Sequence, residues 1–173
     1  MRPETRARRL LCRPHVGAVL LLAVPLAPTA TAADEQQTAV PRYYTAGILE
    51  PDRVASAWLI ARHVDPGAEV LLMPEGAEPP PGAVPFDLPG AKWSRSARRS
   101  TYETILAERS IEDPALVAIG ALIRVGELSY WMLKPDSPAE RFDRKMRALA
   151  LEEDAEAVYA YLDRVYRRGG AVP

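Results

Sequence analysis

The spacing of hydrophobic positions changes along the chain, from short apolar runs to helical repeats. Aromatic and branched residues in "RYYTAGIL" (Arg42 to Leu49) predict a strand. Pro51 and Asp52 then open a helical stretch, "RVASAWLIARHV", which ends at Asp65-Pro66-Gly67. The run "AEVLLM" (Ala68 to Met73) predicts the next strand. Strand, helix and strand with short joints form a βαβ unit, which favours a parallel pair of strands.

A proline-rich stretch, "PEGAEPPPGAVP", follows this unit and predicts a surface loop. Beyond it the signals are helical. Ser100-Thr101-Tyr102-Glu103 has the S-x-x-E form of a capping box, which predicts a helix from about Thr101 to Arg109. The loop therefore separates a strand-containing part of the chain from a helical part.

Three more helices are expected after this one. Asp113-Pro114 and Ser137-Pro138 each combine an N-cap residue with a proline in the first turn, so each predicts a helix start. The spacing of Val158, Leu162 and Val165 indicates the last helix. The sequence thus predicts a single domain of the α/β (or α+β) class, with a small βαβ-started sheet followed by a helical C-terminal half.

The first 33 residues have the layout of a secretory signal peptide. Arginines precede the apolar run "VGAVLLLAVPLA", and Ala30-Thr31-Ala32 fits an A-x-A cleavage site. We expect cleavage near Ala32 or Ala33, because the apolar run is too short to span a membrane comfortably. An uncleaved N-terminal anchor is the alternative. The expected organisation is a signal peptide (1–33), a polar linker (34–41) and one domain (42–173), periplasmic or secreted and without a stable membrane span after cleavage.

Removal of this leader would leave an acidic chain with few reactive side chains. It would carry 17 basic and 22 acidic residues, a balance without the electrostatic footprint of a nucleic-acid-binding protein. Cys12 would be lost, and with it any disulfide or cysteine ligand. His63 would be the one remaining histidine, and neither a Ser-His-Asp set nor a phosphate-binding glycine loop is apparent. We therefore expect no nucleic-acid partner and no cofactor, and a binding protein rather than an enzyme.

Arginines and hydroxyl groups at three places are candidates for binding a small oxyanion. Arg53 and Ser56 fall in the first turn or so of the first predicted helix, where free N–H groups and the helix dipole favour an anion. Arg95 lies in the basic, hydroxyl-rich stretch "KWSRSARRSTYE". Arg124 interrupts an apolar helix and could enter a pocket, reach solvent or pair with Glu127. On spacing alone, an exposed polar stripe and a solvated loop remain the alternatives.

Three motifs follow one another at fixed spacing: "DRVASAWLIARHVDPGAEVLLMP", "PFDLPG" and "STYETILAERSIEDPAL". Together they resemble the ChrB-type chromate-resistance domain family, over roughly Tyr43 to Leu128. The resemblance implies a part in bacterial resistance to chromate, usually beside a chromate efflux transporter. Longer members resemble chromate-responsive regulators. For this chain it implies an exported accessory protein of chromate resistance, with chromate or another tetrahedral oxyanion as ligand and a functional link to such a transporter.

The chain departs from the family pattern at two histidines and a cysteine, residue types that are suited to ligating a metal. The family typically reads Ser-His-x-Gly and Cys-Thr-Phe-Glu where this chain has Arg95 and Ser100 in place of the histidine and the cysteine. It typically reads Val-His-x-x-Asp where this chain has Arg124 and Glu127. Arginine stays protonated and cannot ligate a metal, so no metal site is expected.

Two arginines in place of two histidines suggest a pocket for an anion instead of a cation. Chromate is a tetrahedral dianion, and guanidinium groups suit such an ion. The same arginines could instead form structural pairs with carboxylates. Two other functions remain open, namely a metal- or cofactor-dependent enzyme such as a chromate reductase, and an interaction module whose family metal site has decayed. The expected oxyanion-binding residues and their supporting carboxylates are Arg53, Ser56, Arg95, Arg124, Glu103 and Glu127.

Overall fold

The computed structural model of the chain describes residues 40–152 and 154–173. The strands are β1 (Arg42–Ala46), β2 (Glu69–Met73) and β3 (Val84–Pro85). The helices are α1 (Pro51–Leu59), α2 (Thr101–Glu108), α3 (Pro114–Leu128), α4 (Pro138–Leu151) and α5 (Ala155–Arg167). This arrangement confirms the predicted fold class. The predicted signal peptide and its cleavage site lie outside the described residues.

The sheet has three parallel strands in the order β2-β1-β3. Arg42 lies opposite Glu69 at one end of the β1–β2 ladder, and Ala46 lies opposite Met73 at the other. Helix α1 connects these two strands, which confirms the βαβ unit. Strand β3 was not predicted, because it consists of two residues at the end of the proline-rich stretch. Pro85 has no N–H to donate, and an edge strand is where a sheet tolerates that loss.

Helix α1 lies at the centre of the fold. Every residue in it except Arg53 is buried, including Trp58 and Leu59. A helix that is apolar on almost every side belongs in the interior. The structure differs from the predicted regular helix at its end, where Ile60–Val64 form a π-helical turn. The N–H of Asp65 closes that turn by donating to the carbonyl of Ile60 at 2.9 Å.

Local capping interactions begin the helices of the C-terminal half. Ser100 and Glu103 form both hydrogen bonds of a capping box at the start of α2. The carboxylate of Asp113 accepts two backbone N–H groups at the start of α3, and the hydroxyl of Ser137 accepts one at the start of α4. The predicted helix starts are therefore confirmed. In the described part of the chain, no helix has both the length and the apolar character needed to cross a membrane.

Candidate functional site

The candidate site lies where the chain leaves the carboxyl ends of β1 and β3. The connection from β1 leads to β2 on one side, whereas β3 lies on the other side of β1. In open α/β sheets, ligands bind in the crevice at such a switch point. Six charged residues meet there, and we call them the charged cluster. They are Glu50, Asp52, Arg53, Asp87, Arg95 and Glu127.

Asp52 is the buried anchor of the charged cluster. Its carboxylate accepts the backbone N–H groups of Thr101 at 2.7 Å and Tyr102 at 3.0 Å, and the hydroxyl of Ser56 lies at 3.5 Å. Burial raises the pKa of Asp52, the two N–H groups lower it, and the nearby carboxylate of Asp87 raises it further. Asp52 thus fixes the start of α2 on α1. From the sequence alone, Asp52 is predicted only to open the first helix.

Asp87 joins the sheet to both helices. Its carboxylate accepts the hydroxyl of Thr101 at 2.6 Å and the Nε–H of Arg53 at 2.9 Å. Arg53 also donates to the carbonyl of Ile48 at 2.5 Å, and its side chain is only 14% exposed. A side chain at Gly47 would bring its Cβ to 3.1 Å from the guanidinium of Arg53. Arg53 is therefore enclosed and paired. Asp87 lies within the motif "PFDLPG", so the sequence marks the segment but not the role of this residue.

Arg95 covers the open side of the charged cluster. Its Nη2 atom lies 2.8 Å from the carboxylate of Glu50 and 3.7 Å from that of Glu127, and its Nε atom lies 4.0 Å from Asp87. Partial burial lowers the pKa of Arg95, but the surrounding carboxylates raise it above its ordinary value. The Arg95 side chain remains 40% exposed. The guanidinium of Arg95 therefore lies among three carboxylates and is still accessible to solvent.

Glu127 supplies the α3 wall of the charged cluster. Its side chain is 8% exposed, and Arg147 of α4 lies 3.4 Å from it. Burial raises the pKa of Glu127, whereas Arg147 and Arg95 lower it. Arg147 is also held by Asp143 at 3.0 Å. A side chain at Gly126 would bring its Cβ within 2.4 Å of the Asp143 carboxylate, so the glycine allows α3 and α4 to approach closely.

Arg124 and Glu103 form an ion pair of their own. The Nε atom of Arg124 lies 3.2 Å from Glu103, whose other oxygen accepts the N–H of Ser100 in the capping box. Arg124 is 49% exposed. Within the described residues, Arg124 makes no ion pair with Glu127, which contacts Arg95 and Arg147 instead. The structure therefore brings Arg53, Ser56, Arg95 and Glu127 together and places the Arg124–Glu103 pair between α2 and α3.

Carboxylates outnumber guanidinium groups in the charged cluster, where four acids surround Arg53 and Arg95. An excess of carboxylates attracts a cation, and the guanidinium of Arg95 occupies the place that such a cation would take. In the part of the chain that the structure describes, no group of three or more histidine, cysteine, aspartate or glutamate side chains is arranged to hold a metal ion. An incoming dianion would have to replace one of the carboxylates that contact Arg95.

A cleft of about 780 Å³ adjoins the charged cluster. The ends of β1 and β2 form one wall, and α4 and the start of α5 form the other. Glu50 and Arg147 are its charged residues, while Ile48 and Leu151 expose apolar side chains at its margin. The cleft offers mainly apolar contact, with one acid and one base beside the cluster.

Comparison with known proteins places the chain among proteins of one family. The model of the family described as "ChrB, C-terminal domain" matches residues 43–168. A curated relative, Protein ChrB of Cupriavidus metallidurans (strain CH34), is 39% identical over 75 residues, which are 43% of this chain and 23% of that protein. The chain thus matches about a quarter of the length of this relative. No solved structure matches the chain significantly.

Proposed function

Because this chain belongs to the ChrB C-terminal domain family, we propose that it acts in chromate resistance, as an accessory protein rather than as an enzyme. The arginine-rich leader, the apolar run and the Ala30-Thr31-Ala32 site support a place of action outside the cytoplasm. The functional partner would be a chromate transporter, as the family resemblance implies. The protein would then act on the far side of the membrane from the reducing cytoplasm.

We propose further that Arg95 binds a tetrahedral oxyanion, chromate above all. The observation that carries this proposal is the exposure of the Arg95–Glu50 pair, whose side chains are 40% and 43% exposed. An exposed ion pair contributes about 0–1 kcal/mol, so a dianion can replace Glu50 at little cost. Arg53 and Ser56 are enclosed and would position the site instead of contacting the anion. Arg124 is a half-exposed guanidinium as well, but it would first have to leave Glu103.

The remaining carboxylates make this binding weak and dependent on pH. Asp52 and Glu127 both have raised pKa values because they are buried, and each carries a negative charge when deprotonated. Their protonation would remove repulsion toward a dianion. We therefore expect sulfate, which stays a dianion from mildly acidic to neutral pH, to bind more tightly below the folded-state pKa values of Asp52 and Glu127 than above them.

Thermal melts test the oxyanion proposal. Sodium chromate and sodium sulfate are compared with sodium chloride at matched ionic strength, on the wild type, Arg95→Ala and Arg98→Ala. Arg98 is an exposed arginine of the same loop and serves as the matched control. A bound anion raises the melting temperature by mass action, so we expect a shift in the wild type and Arg98→Ala but not in Arg95→Ala. The absence of any anion-specific shift in the wild type would reject the proposal.

A second candidate function is an interaction module whose family metal site has become structural. The observation that favours it is that Arg53, Arg95 and Arg124 each already contact a carboxylate. In that case the oxyanions have no effect, while Arg95→Ala lowers stability by leaving Glu127 with one cation fewer. Metal and flavin analysis of the purified protein tests the enzyme alternative separately, because a stoichiometric redox metal or flavin would support it.

A further inference from the structure

A second cleft lies between α4, α5 and the residues that follow α5. Its volume is about 480 Å³, and we call it the basic cleft. Its charged lining residues are Arg141, Arg144, Lys145 and Arg164, and Tyr161 lies among them. We propose that the basic cleft binds a small molecule that carries two or more phosphate groups. This site is distinct from Arg95 and goes beyond the oxyanion binding proposed above.

The four cations come from two helices and line one cleft that also contains an aromatic ring. Arg141 and Lys145 are four positions apart on α4 and therefore lie on one helix face. Arg164 lies one turn beyond Tyr161 on α5, and its guanidinium is 5.9 Å from the centre of the tyrosine ring. Burial raises the pKa of Tyr161, whereas Arg164 and Arg141 lower it because both cations are near its hydroxyl. The positive charges are thus gathered at one place.

Acidic side chains balance less of this charge than they do in the charged cluster. Among the described residues that line the basic cleft, none has an acidic side chain. Arg144 pairs with Glu140 at 2.5 Å, and Arg141 donates to the backbone carbonyl of Asp136. Lys145 and Arg164 form no ion pair with any residue that the structure describes. An anion entering here meets cations first, in contrast to one that approaches Arg95.

Like charges one helical turn apart destabilise a helix unless something neutralises them. Arg141 has such neighbours in Arg144, which Glu140 neutralises, and in Lys145, which forms no ion pair in the described part of the chain, so the repulsion is mainly between Arg141 and Lys145. A bound polyanion would relieve this repulsion and stabilise the folded chain. Guanidinium groups bind phosphate through two parallel hydrogen bonds, and a lysine adds a mobile point charge.

The size of the basic cleft favours more than a single inorganic ion. Pockets for small organic ligands span about 300–1,000 Å³, and this cleft lies within that range. Four cations on two helices suit a ligand whose charge is divided between neighbouring phosphate groups. Ala148 and Val172 add apolar surface to the lining, against which the uncharged part of such a ligand can lie. An organic diphosphate fits these requirements better than a lone tetrahedral oxyanion does.

Titration calorimetry and thermal melts with inorganic pyrophosphate and with adenosine diphosphate test the proposal. Both are run without magnesium, beside sodium chloride and sodium sulfate at matched ionic strength. We expect saturable binding to the wild type and a rise in its melting temperature. Lys145→Ala and Arg164→Ala should each weaken binding about tenfold or more, since each removes a charged hydrogen-bond donor. Lys134→Ala, an exposed lysine outside the cleft, should bind as the wild type does.

The variants also separate this site from the one proposed at Arg95. Arg95→Ala should keep the pyrophosphate response even where it loses the sulfate response. Lys145→Ala should melt at or slightly above the wild-type temperature without ligand, because it removes a like-charge contact. The proposal is rejected if pyrophosphate gives no saturable binding, or if Lys145→Ala and Arg164→Ala both bind it as tightly as the wild type. A response that sodium chloride reproduces at matched ionic strength would reject it equally.

Discussion

The carboxylate of Asp52 accepts the backbone N–H of Thr101 at 2.7 Å, although 49 positions separate the two residues. This bond holds the first turn of α2 against the first turn of α1. The hydroxyl of Thr101 donates to the carboxylate of Asp87, which also accepts the Nε–H of Arg53. The charged cluster is therefore built on the contact between two helix starts, beside the end of the sheet.

Removal of the Asp52 carboxylate should destabilise the protein more than loss of an ordinary helix cap does. Asp52→Ala leaves the N–H groups of Thr101 and Tyr102 buried without an acceptor, at about 1–3 kcal/mol each. We expect the free energy of unfolding to fall by about 2–6 kcal/mol, measured by urea denaturation. Asp52→Asn keeps one acceptor oxygen and should fall between Asp52→Ala and the wild type. An unchanged unfolding midpoint in Asp52→Ala would contradict the anchoring role.

The arginines of the site should differ sharply in their contribution to stability. Arg53→Ala removes the nearest cation of the buried Asp87 and leaves it only the Arg95 guanidinium, 4.0 Å away, so we expect a loss of up to about 3–5 kcal/mol. Arg124→Ala breaks a pair whose arginine is half exposed, and the loss should stay below about 1 kcal/mol. Parallel urea denaturation of the two variants measures the difference. Equal losses would contradict the prediction that the buried Arg53–Asp87 pair contributes more to the free energy of unfolding than the exposed Arg124–Glu103 pair.

The pH dependence of stability should carry a contribution from Glu127. Its pKa is raised in the folded protein, chiefly by burial and also by Asp52 and Glu50, against the opposing effect of Arg147 and Arg95. Above the ordinary glutamate pKa of about 4.3, the unfolded chain has released a proton that the folded protein still binds. This contribution to the free energy of unfolding is therefore lost as the pH rises through the folded-state pKa.

Glu127→Gln removes that titration, so the variant should lose less stability than the wild type as the pH rises from about 4.3 toward neutrality. Urea denaturation at several pH values in this range measures the difference. Glu112→Gln, at an exposed glutamate, serves as the control and should follow the wild type. Parallel pH profiles for Glu127→Gln and the wild type would contradict the raised pKa.

Export of the protein should be visible in its mass. If the leader is removed near Ala32 or Ala33, intact-mass measurement of protein recovered from the periplasm should show the loss of the first 32 or 33 residues. Replacement of Ala30 and Ala32 by bulky residues should block this cleavage, because the A-x-A site requires small side chains. Full-length protein found only in the cytosol would contradict export.

Helix starts and the order of elements were determined by the sequence itself. Ser100 and Glu103, Asp113 and Ser137 all cap the helices that they were predicted to cap. These interactions join residues within three positions of one another, so local sequence is enough to specify them. The βαβ unit is similarly local, since two apolar runs and the helix between them leave little choice of arrangement.

The partners of Arg95 and Arg124 were decided by the tertiary structure. Sequence could suggest that Arg124 pairs with Glu127 one turn away, yet packing of α2 on α3 gives it Glu103. Sequence could identify Arg95 as a candidate for an anion, but not the carboxylates around it, because Glu50 and Glu127 arrive from distant elements. The electrostatic potential that a ligand meets at an arginine is the sum of contributions from the arginine and from its charged neighbours. Those neighbours exist only once the helices have packed.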